Sequence, residues 1–140
     1  MKSFAYLLIA ITFFSCNDFA EDTANKRTKN HVVEKANVIN NIEVAIKDFP
    51  KRMRWLEANS ECEALGDGWR LPTKDELNLL YLNKDRIGGF SKGNYWSSTD
   101  TGKTVRGVLS DAWHQSFKNG EQVYNGKYDL KFSFRAVRDN

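Results

Sequence analysis

The residues best suited to catalysis or metal binding are few and widely separated in this chain of 140 residues. Its histidines are His31 and His114, its cysteines are Cys16 and Cys62, and these four residues lack the spacing of a metal site. His114 follows Trp113 in a strand-like stretch, a setting that favours a structural or exposed imidazole over a catalytic one. The serines lie in no nucleophile-elbow motif. The sequence therefore predicts a protein that is not an enzyme and that holds no metal or cofactor.

Cationic and aromatic side chains offer binding chemistry instead. The net charge of +3, from 21 basic and 18 acidic residues, is too small and too scattered to predict a nucleic-acid partner. Trp113 either packs in the core or offers a ring face to a sugar or a cation. Basic residues in the second half of the chain either form one face for polyanions such as sulfated glycans or are scattered for solubility. These basic candidates are Lys92, Lys103, Arg106, Lys118 and Lys127.

Cys16 is the cysteine with a predicted chemical role. Lys2 precedes an apolar run over residues 4–14, which has the length of a signal-peptide core and is too short to span a bilayer. The run ends in Phe14-Ser15-Cys16 and resembles the lipobox of bacterial lipoproteins, in which the cysteine is acylated and becomes the first residue. The alternative is an ordinary secretory signal with an incidental cysteine. Acylation would anchor the chain in a membrane and leave Cys62 without a disulfide partner.

These features divide the chain into three segments. Residues 1–15 are predicted to be a lipoprotein signal peptide, 16–40 the lipidated cysteine with a flexible polar tether, and 41–140 the folded domain. Three acidic residues soon after the cysteine resemble a surface-export signal of bacterial lipoproteins: Asp18, Glu21 and Asp22. The predicted location is the bacterial cell envelope, lipid-anchored at the outer membrane or cell surface. The alternative is a solvated tether without a sorting role.

The pattern of apolar residues in the folded domain predicts an α+β order of elements. Residues 42–47 alternate between apolar and polar, as in a strand with one buried face. Helical spacing follows over 55–65, with Cys62 on the buried side as an inert thiol, and again over 74–83. Further strands are predicted at 94–99, 105–109, 112–117, 122–124 and 131–138, with turns at Asn119-Gly120 and Asn125-Gly126. We expect two helices packed on a small antiparallel sheet with long loops.

A tight corner between the two predicted helices is expected to organise the domain. Residues 66–77 carry a tryptophan and a leucine inside a turn, which a plain surface loop does not need. Pro72 keeps the preceding residue out of helical geometry, and Thr73 and Glu76 have the spacing of a capping box for the second helix. Arg70 is expected to pair with a carboxylate inside the domain. The residues with predicted structural roles are Trp69, Arg70, Pro72 and Trp96.

Six motifs follow one another along the folded domain. They are Trp55-x-x-Ala58-x-x-x-Cys62, Gly68-Trp69-Arg70-Leu71-Pro72-Thr73, Ile87-Gly88-Gly89-Phe90, Tyr95-Trp96-Ser97-Ser98-Thr99, Ala112-Trp113 and Phe134-Arg135-Ala136-Val137-Arg138. Their order and spacing resemble those of the DUF1566 family, also called the Lcl C-terminal domain, over residues 42–138. The resemblance implies a fold similar to C-type-lectin-like domains and to formylglycine-generating enzymes. It also implies surface binding, because a founding member of the family is a bacterial adhesin that binds glycosaminoglycans.

Two departures narrow the function that this resemblance implies. The Glu-Pro-Asn and Trp-Asn-Asp motifs that bind calcium in sugar-binding C-type lectins are missing, and so is the cysteine pair of formylglycine-generating enzymes. We therefore predict a cell-envelope lipoprotein that displays a non-catalytic C-type-lectin-like domain. Loops between residues 83 and 131 are expected to engage a glycan or protein ligand. The alternatives are a structural or assembly protein of the envelope and an enzyme of the formylglycine-generating type.

Overall fold

The computed structural model describes residues 37–140, so the predicted signal peptide, Cys16 and most of the predicted tether lie outside the described residues. The first described element is strand β1 (Asn37–Ile39), which pairs antiparallel with β2 (Ile42–Val44). Asn40 and Asn41 join them, both with positive φ, the geometry of a two-residue hairpin turn. The folded part therefore includes residues before the predicted boundary at 41. The polar composition of this stretch does not predict a strand, because β1 buries little more than Ile39.

Two helices of similar length and one short helix follow β2. Helix α1 spans Trp55–Glu63 and buries Ala58 and Cys62, ending slightly before the predicted limit. Helix α2 spans Lys74–Leu82, close to the predicted 74–83. A single further turn, α3 (Lys84–Ile87), was not predicted. Among residues 37–140 no helix has the length and apolar character needed to cross a bilayer.

The central sheet has the strand order β3–β6–β7, formed by Asn94–Asp100, Asp111–Ser116 and Gln122–Gly126. A separate hairpin, β4 (Thr104–Val105) and β5 (Val108–Leu109), projects between β3 and β6. The predicted strand at 105–109 is thus two short strands, because Arg106 and Gly107 adopt positive φ in a two-residue turn. The predicted turn at Asn125-Gly126 is wrong, since both residues pair with β6.

The last segment departs most from its predicted strand over 131–138. Only β8 (Val137–Asp139) is a strand, and it pairs with β2 to complete a β1–β2–β8 sheet. Ser133, Phe134 and Arg135 are all buried, so the expected alternation of buried and exposed faces is wrong here. The segment runs through the interior, with Phe132 bridging to Met53 and Ser133 bridging to Tyr95. Alternation fails because protein surrounds both faces of the chain.

Two clusters of apolar side chains form the core. The first packs α1 against the corner and the last segment, and its largest members are Phe49, Trp69, Trp96 and Phe134. The second packs α2 against both sheets, and its largest members are Leu77, Leu80, Tyr95 and Phe117. The two clusters contact opposite faces of the β3–β6–β7 sheet, since the adjacent residues Trp96 and Tyr95 of β3 belong to the first and the second cluster respectively.

The corner at residues 66–77 is capped, and its apolar side chains are buried although residues 66–68 are exposed. Trp69 and Pro72 lie in the core, and the backbone of Arg70 exchanges two hydrogen bonds with Val137 of β8. The Arg70 guanidinium donates to both Glu76 carboxylate oxygens, at 2.7 and 2.9 Å, and to Asp139 at 2.7 Å. This bidentate pairing holds the pKa of Glu76 below its usual range. Arg70 thus joins the start of α2 to the last strand.

Candidate binding surfaces

A buried polar network, formed by Asp48, Tyr95 and Arg135, lies at the end of the central sheet where β3 begins. The Arg135 guanidinium is almost fully buried, and its Nε donates to Asp48 Oδ1 at 2.8 Å. The Tyr95 hydroxyl donates to the other Asp48 oxygen. Burial raises the pKa of Tyr95 above its ordinary value, so the phenol stays protonated as the donor. Burial lowers the pKa of Arg135, and the Asp48 carboxylate opposes this shift.

The polar network fixes the loop that follows α3. Arg135 Nη1 donates to the carbonyl of Gly88 at 2.8 Å, and Nη2 donates to that of Gly89 at 2.6 Å. The guanidinium also lies 3.7 Å from the centre of the Phe90 ring. A Cβ at Gly89 would come within 3.2 Å of Arg135 Nη2, and its φ is positive, so glycine is favoured at this position. The loop is therefore held by contacts along most of its length.

A pocket of about 490 Å³ lies beside this loop, and we call it the lysine pocket. Its apolar lining comes from Phe90 and Phe117, whose ring centroids are 4.7 Å apart. Charged side chains complete the lining, namely Lys84, Lys92, Lys118 and Asp85. The structure thus brings the predicted candidates Lys92 and Lys118 together and adds Lys84. A pocket of this size, part apolar and part charged, is large enough for a small molecule.

A second concavity, of about 640 Å³, lies at the other end of the central sheet, and we call it the hairpin groove. Val105 and Val108 of the hairpin and Tyr128 of the 127–130 loop supply its apolar lining. These side chains are 62%, 55% and 46% exposed. Its charged lining comes from Lys103, Asp111 and Asp129. The groove therefore presents apolar surface to solvent within a charged border.

Lys127 anchors the base of this loop and is not a surface cation. Its side chain is only about 5% exposed, it forms an ion pair with Asp100, and its Nζ lies 4.0 Å from the Trp55 ring centre. The Lys127 backbone also accepts from the Trp55 amide and donates to the Ser110 carbonyl. Its predicted place on a polyanion-binding face is therefore wrong, because a buried, paired ammonium cannot reach a ligand. Its role is to tie the loop to α1.

Trp113 is half-buried, and neighbouring side chains already occupy its ring. Lys74 Nζ lies 3.5 Å from the ring centre, and Tyr124 packs edge-on at 5.3 Å. Lys103 then donates from Nζ to the Tyr124 hydroxyl at 2.9 Å. One face of Trp113 is thus covered by a cation from its own chain, which leaves only its other face for a ligand such as a sugar.

The predicted basic candidates do not form one face. Lys92 and Lys118 line the lysine pocket, Arg106 lies at the tip of the hairpin at the opposite end of the sheet, and Lys127 is inside. Sequence reasoning missed Lys84 and the apolar groove residues. The sequence does contain a signal for the groove. Valines lie on both sides of the Arg106-Gly107 turn, and the strands there are too short to show the apolar–polar alternation of a strand with one buried face.

The buried thiol and imidazole are poorly placed for catalysis. Cys62 is fully buried in α1, and burial raises the pKa of its thiol, so it carries no thiolate at neutral pH. His114 packs between Trp96 and Phe132, its Nε2 lies 2.7 Å from Asn125 Nδ2, and its Nδ1 has no hydrogen-bond partner within residues 37–140. Burial lowers the pKa of His114, which keeps the ring neutral. The described part of the chain holds no cluster of three metal-ligating side chains.

Comparisons with known proteins identify the fold of the domain. No family model and no curated protein matches the chain, so DUF1566 membership stays a prediction. Among solved structures, the chain is similar to botrocetin, at 11% identity over 75% of this chain and 96% of that one, with a TM-score of 0.53. It is also similar to the snake venom toxin convulxin, at 8% identity over 75% and 95%, with a TM-score of 0.54. The predicted α+β, C-type-lectin-like fold is confirmed.

Proposed function

We propose that this C-type-lectin-like domain is a non-catalytic binding module whose hairpin groove holds a protein ligand, and that acylation of Cys16 displays it at a bacterial cell envelope. The observation that carries the proposal is the exposed apolar surface of the hairpin groove. The lipid anchor and the location rest on the resemblance of residues 1–16 to a lipoprotein signal.

Exposed apolar side chains are most numerous in the last third of the chain, and three of them, Val105, Val108 and Tyr128, line the groove. Val38, Leu56 and Leu82 are exposed singly elsewhere, but seven large apolar side chains between residues 105 and 130 are exposed: Val105, Val108, Leu109, Val123, Tyr124, Tyr128 and Leu130. Single exposed apolar residues are normal on soluble proteins, whereas a local concentration of them marks an interaction surface. Aromatic and aliphatic side chains inside a charged border are the usual make-up of a protein interface.

A protein ligand is favoured over a glycan by the state of Trp113. A sugar stacks on an uncovered aromatic face, and Lys74 covers one of the two faces of this ring, which reduces the aromatic surface open to a sugar. A glycan is the second candidate, because Tyr128 is 46% exposed beside Asp129 and Asp111, which supply an apolar ring next to hydrogen-bond acceptors. A non-catalytic role is supported by the burial of Cys62 and His114.

Site-specific photocrosslinking in cells that produce the protein tests the proposal. With the crosslinker at Val108, we expect discrete protein adducts that disappear when Val105→Glu is introduced. The matched control carries the crosslinker at Leu56, which is 50% exposed on α1. Equal adducts from both positions, or none from Val108, would overturn a protein ligand at the groove. Retention on a glycan array that depends on Tyr128 would identify the second candidate instead.

The identity of the adducts separates adhesion from assembly. Envelope proteins of the producing cell would indicate a structural or assembly role, and proteins of another cell or host would indicate adhesion. A Cys62→Ser variant should keep the same adducts, whereas a formylglycine-generating type of enzyme would need a reactive thiol.

The lipid anchor is tested by metabolic labelling with a fatty-acid analogue. We expect Cys16→Ala to abolish labelling and to release the protein from membranes. Cys62→Ala serves as the control for loss of a cysteine. Labelling that persists in Cys16→Ala would show that the lipobox prediction is wrong.

A further inference from the structure

We propose that the lysine pocket binds a phosphate monoester on a small organic group. This site is independent of the proposed function, because it lies at the opposite end of the central sheet from the hairpin groove. Asn94 pairs with Ser116 at the lysine-pocket end, and Asp100 pairs with Ala112 at the hairpin end. Each site can therefore be removed without touching the other.

The charge of the lysine pocket suits a dianion. Three of its lining residues are lysines, Lys84, Lys92 and Lys118, and one is a carboxylate, Asp85, which leaves a net charge of +2. None of these lysines forms an ion pair within the described part of the chain. A phosphate monoester carries a charge of about −1.5 to −2 at neutral pH, and lysine binds phosphate as a point charge.

One of the three cations is already held in place. Lys84 Nζ lies 4.2 Å from the ring centre of Tyr81, and Tyr81 packs edge-on against Phe117. Holding the ammonium over an aromatic face restricts the side chain before a ligand arrives. Lys92 and Lys118 are exposed and can close on an anion from the other parts of the rim.

The apolar lining selects an ester over inorganic phosphate. Phe90 is half-buried and lies on the Arg135 guanidinium, so its ring is fixed in orientation. Phe117 packs beside it and contacts Tyr95, and because Phe117 is only 2% exposed, Phe90 supplies most of the apolar surface of the pocket. A ring or short acyl chain attached to the phosphate can cover this apolar surface, which adds hydrophobic stabilisation that a bare ion lacks.

The polar network keeps the pocket formed in the absence of ligand. The carbonyls of Gly88 and Gly89 accept hydrogen bonds from Arg135, and the Ser91 amide donates to the Tyr95 hydroxyl at 2.7 Å. Tyr95 and Arg135 both donate hydrogen bonds to the Asp48 carboxylate. A loop fixed in this way loses little conformational entropy on binding, so a few contacts suffice for measurable affinity.

Nuclear magnetic resonance titration of the full chain tests the site. The probes are inorganic phosphate, phenyl phosphate and monomeric dihexanoyl phosphatidate, which represent a free ion, a soluble ester and a lipid headgroup. The test variant is Lys92→Ala/Lys118→Ala. The matched control is Lys51→Ala/Lys131→Ala, which removes the same charge from exposed lysines outside the pocket.

We expect an ester to shift the amide signals of residues 88–92 and to bind at least tenfold more weakly to the test variant, while the control changes affinity less than twofold. Inorganic phosphate should bind more weakly than either ester. A response confined to phosphatidate would identify a lipid headgroup as the source, and a response to phenyl phosphate a soluble ester. No shift at 88–92 with any probe, or equal weakening in both double variants, would overturn the proposal.

Discussion

At the lysine-pocket end of the β3–β6–β7 sheet the loops are held by buried polar groups, whereas at the hairpin end the chain projects into solvent. The Arg135 guanidinium alone makes hydrogen bonds to Asp48, Gly88 and Gly89. The hairpin has only two paired positions in each strand, and its valines face water. Both ends are carried by the same strands, so the difference lies in what surrounds the loops.

The difference bears on the two proposed binding surfaces, which one sheet carries at its opposite ends. A loop fixed by buried hydrogen bonds suits a small ligand, because the pocket must keep its shape. A projecting apolar hairpin suits a large partner, because the partner completes the burial that the domain leaves undone. The hairpin end is still secured at its base, where Lys127 pairs with Asp100 beneath Trp55.

The strongest test of this difference is removal of the buried guanidinium. We expect Arg135→Ala to lower the free energy of unfolding by about 3–5 kcal/mol, as for loss of one partner of a buried ion pair. Arg106→Ala at the exposed hairpin tip should change it by less than about 0.5 kcal/mol. Urea denaturation followed by tryptophan fluorescence measures both. Similar losses for the two variants would mean that the two ends are not held differently.

A second test compares two glycines with the same backbone geometry. Gly120 and Gly107 both have positive φ, of 81° and 79°. A Cβ at Gly120 would lie 2.5 Å from Tyr81 Cε1, whereas a Cβ at Gly107 would meet nothing within 4 Å. We expect Gly107→Ala to lower the free energy of unfolding by about 1–2 kcal/mol, because alanine is strained at this backbone geometry. Gly120→Ala should cost about 1–3 kcal/mol more, from overpacking at the lysine-pocket end.

Thermal unfolding of the two glycine variants at one pH measures this difference. A Gly120→Ala protein no less stable than Gly107→Ala would contradict the close packing of Tyr81 against the turn after β6.

The pH dependence of stability probes the interior between the two ends, where His114 lies. Burial lowers the pKa of His114 in the folded protein below the unfolded value of about 6.5. The unfolded chain therefore binds a proton first, so stability is kept above about pH 6.5 and falls as the pH drops toward the lowered pKa. We expect the wild type to lose more stability than His114→Gln between pH 7 and 5. Parallel urea curves that shift equally in both proteins would contradict a buried neutral imidazole.

The smallest effect on stability is expected at the hairpin groove. Val105→Ser/Val108→Ser should leave the free energy of unfolding within about 0.5 kcal/mol of the wild type, because both side chains are exposed. Val44→Ser, at a fully buried position of β2, should lower the free energy of unfolding several times more. The hairpin variant should nevertheless lose its protein adducts. Unchanged adducts would show that these two exposed valines do not contribute to binding.

Local features of the fold could be predicted from the sequence, because their partners are close together in the chain. The capping box is one, with the Glu76 amide donating to Thr73 Oγ1 at 3.2 Å and the Thr73 amide to Glu76 Oε2 at 2.7 Å. The inert position of Cys62 is another, since it follows from helical spacing alone. The C-type-lectin-like architecture is predicted by the resemblance of short motifs and not by the periodicity of apolar residues.

Features that depend on distant partners could not be predicted. Asp48 and Arg135 are 87 residues apart, and no local pattern shows that they meet. Lys127 looks like an ordinary surface lysine until Asp100 and Trp55 are placed around it. Each of these charged residues is buried only because a partner from elsewhere in the chain compensates it. The lysine pocket belongs to the same class, since Lys84 and Lys118 meet only in the folded chain.

The β1–β2–β8 sheet also determines how the domain can be joined to other polypeptide. β1 and β8 flank β2, with Val44 paired to Asn37 on one side and to Val137 on the other. The first and last strands within residues 37–140 therefore run in the same direction about 10 Å apart, two strand spacings. A linker of a few residues spanning the length of one short strand would reconnect them. The domain formed by residues 37–140 is thus suited to circular permutation and to insertion into a surface loop of a host protein.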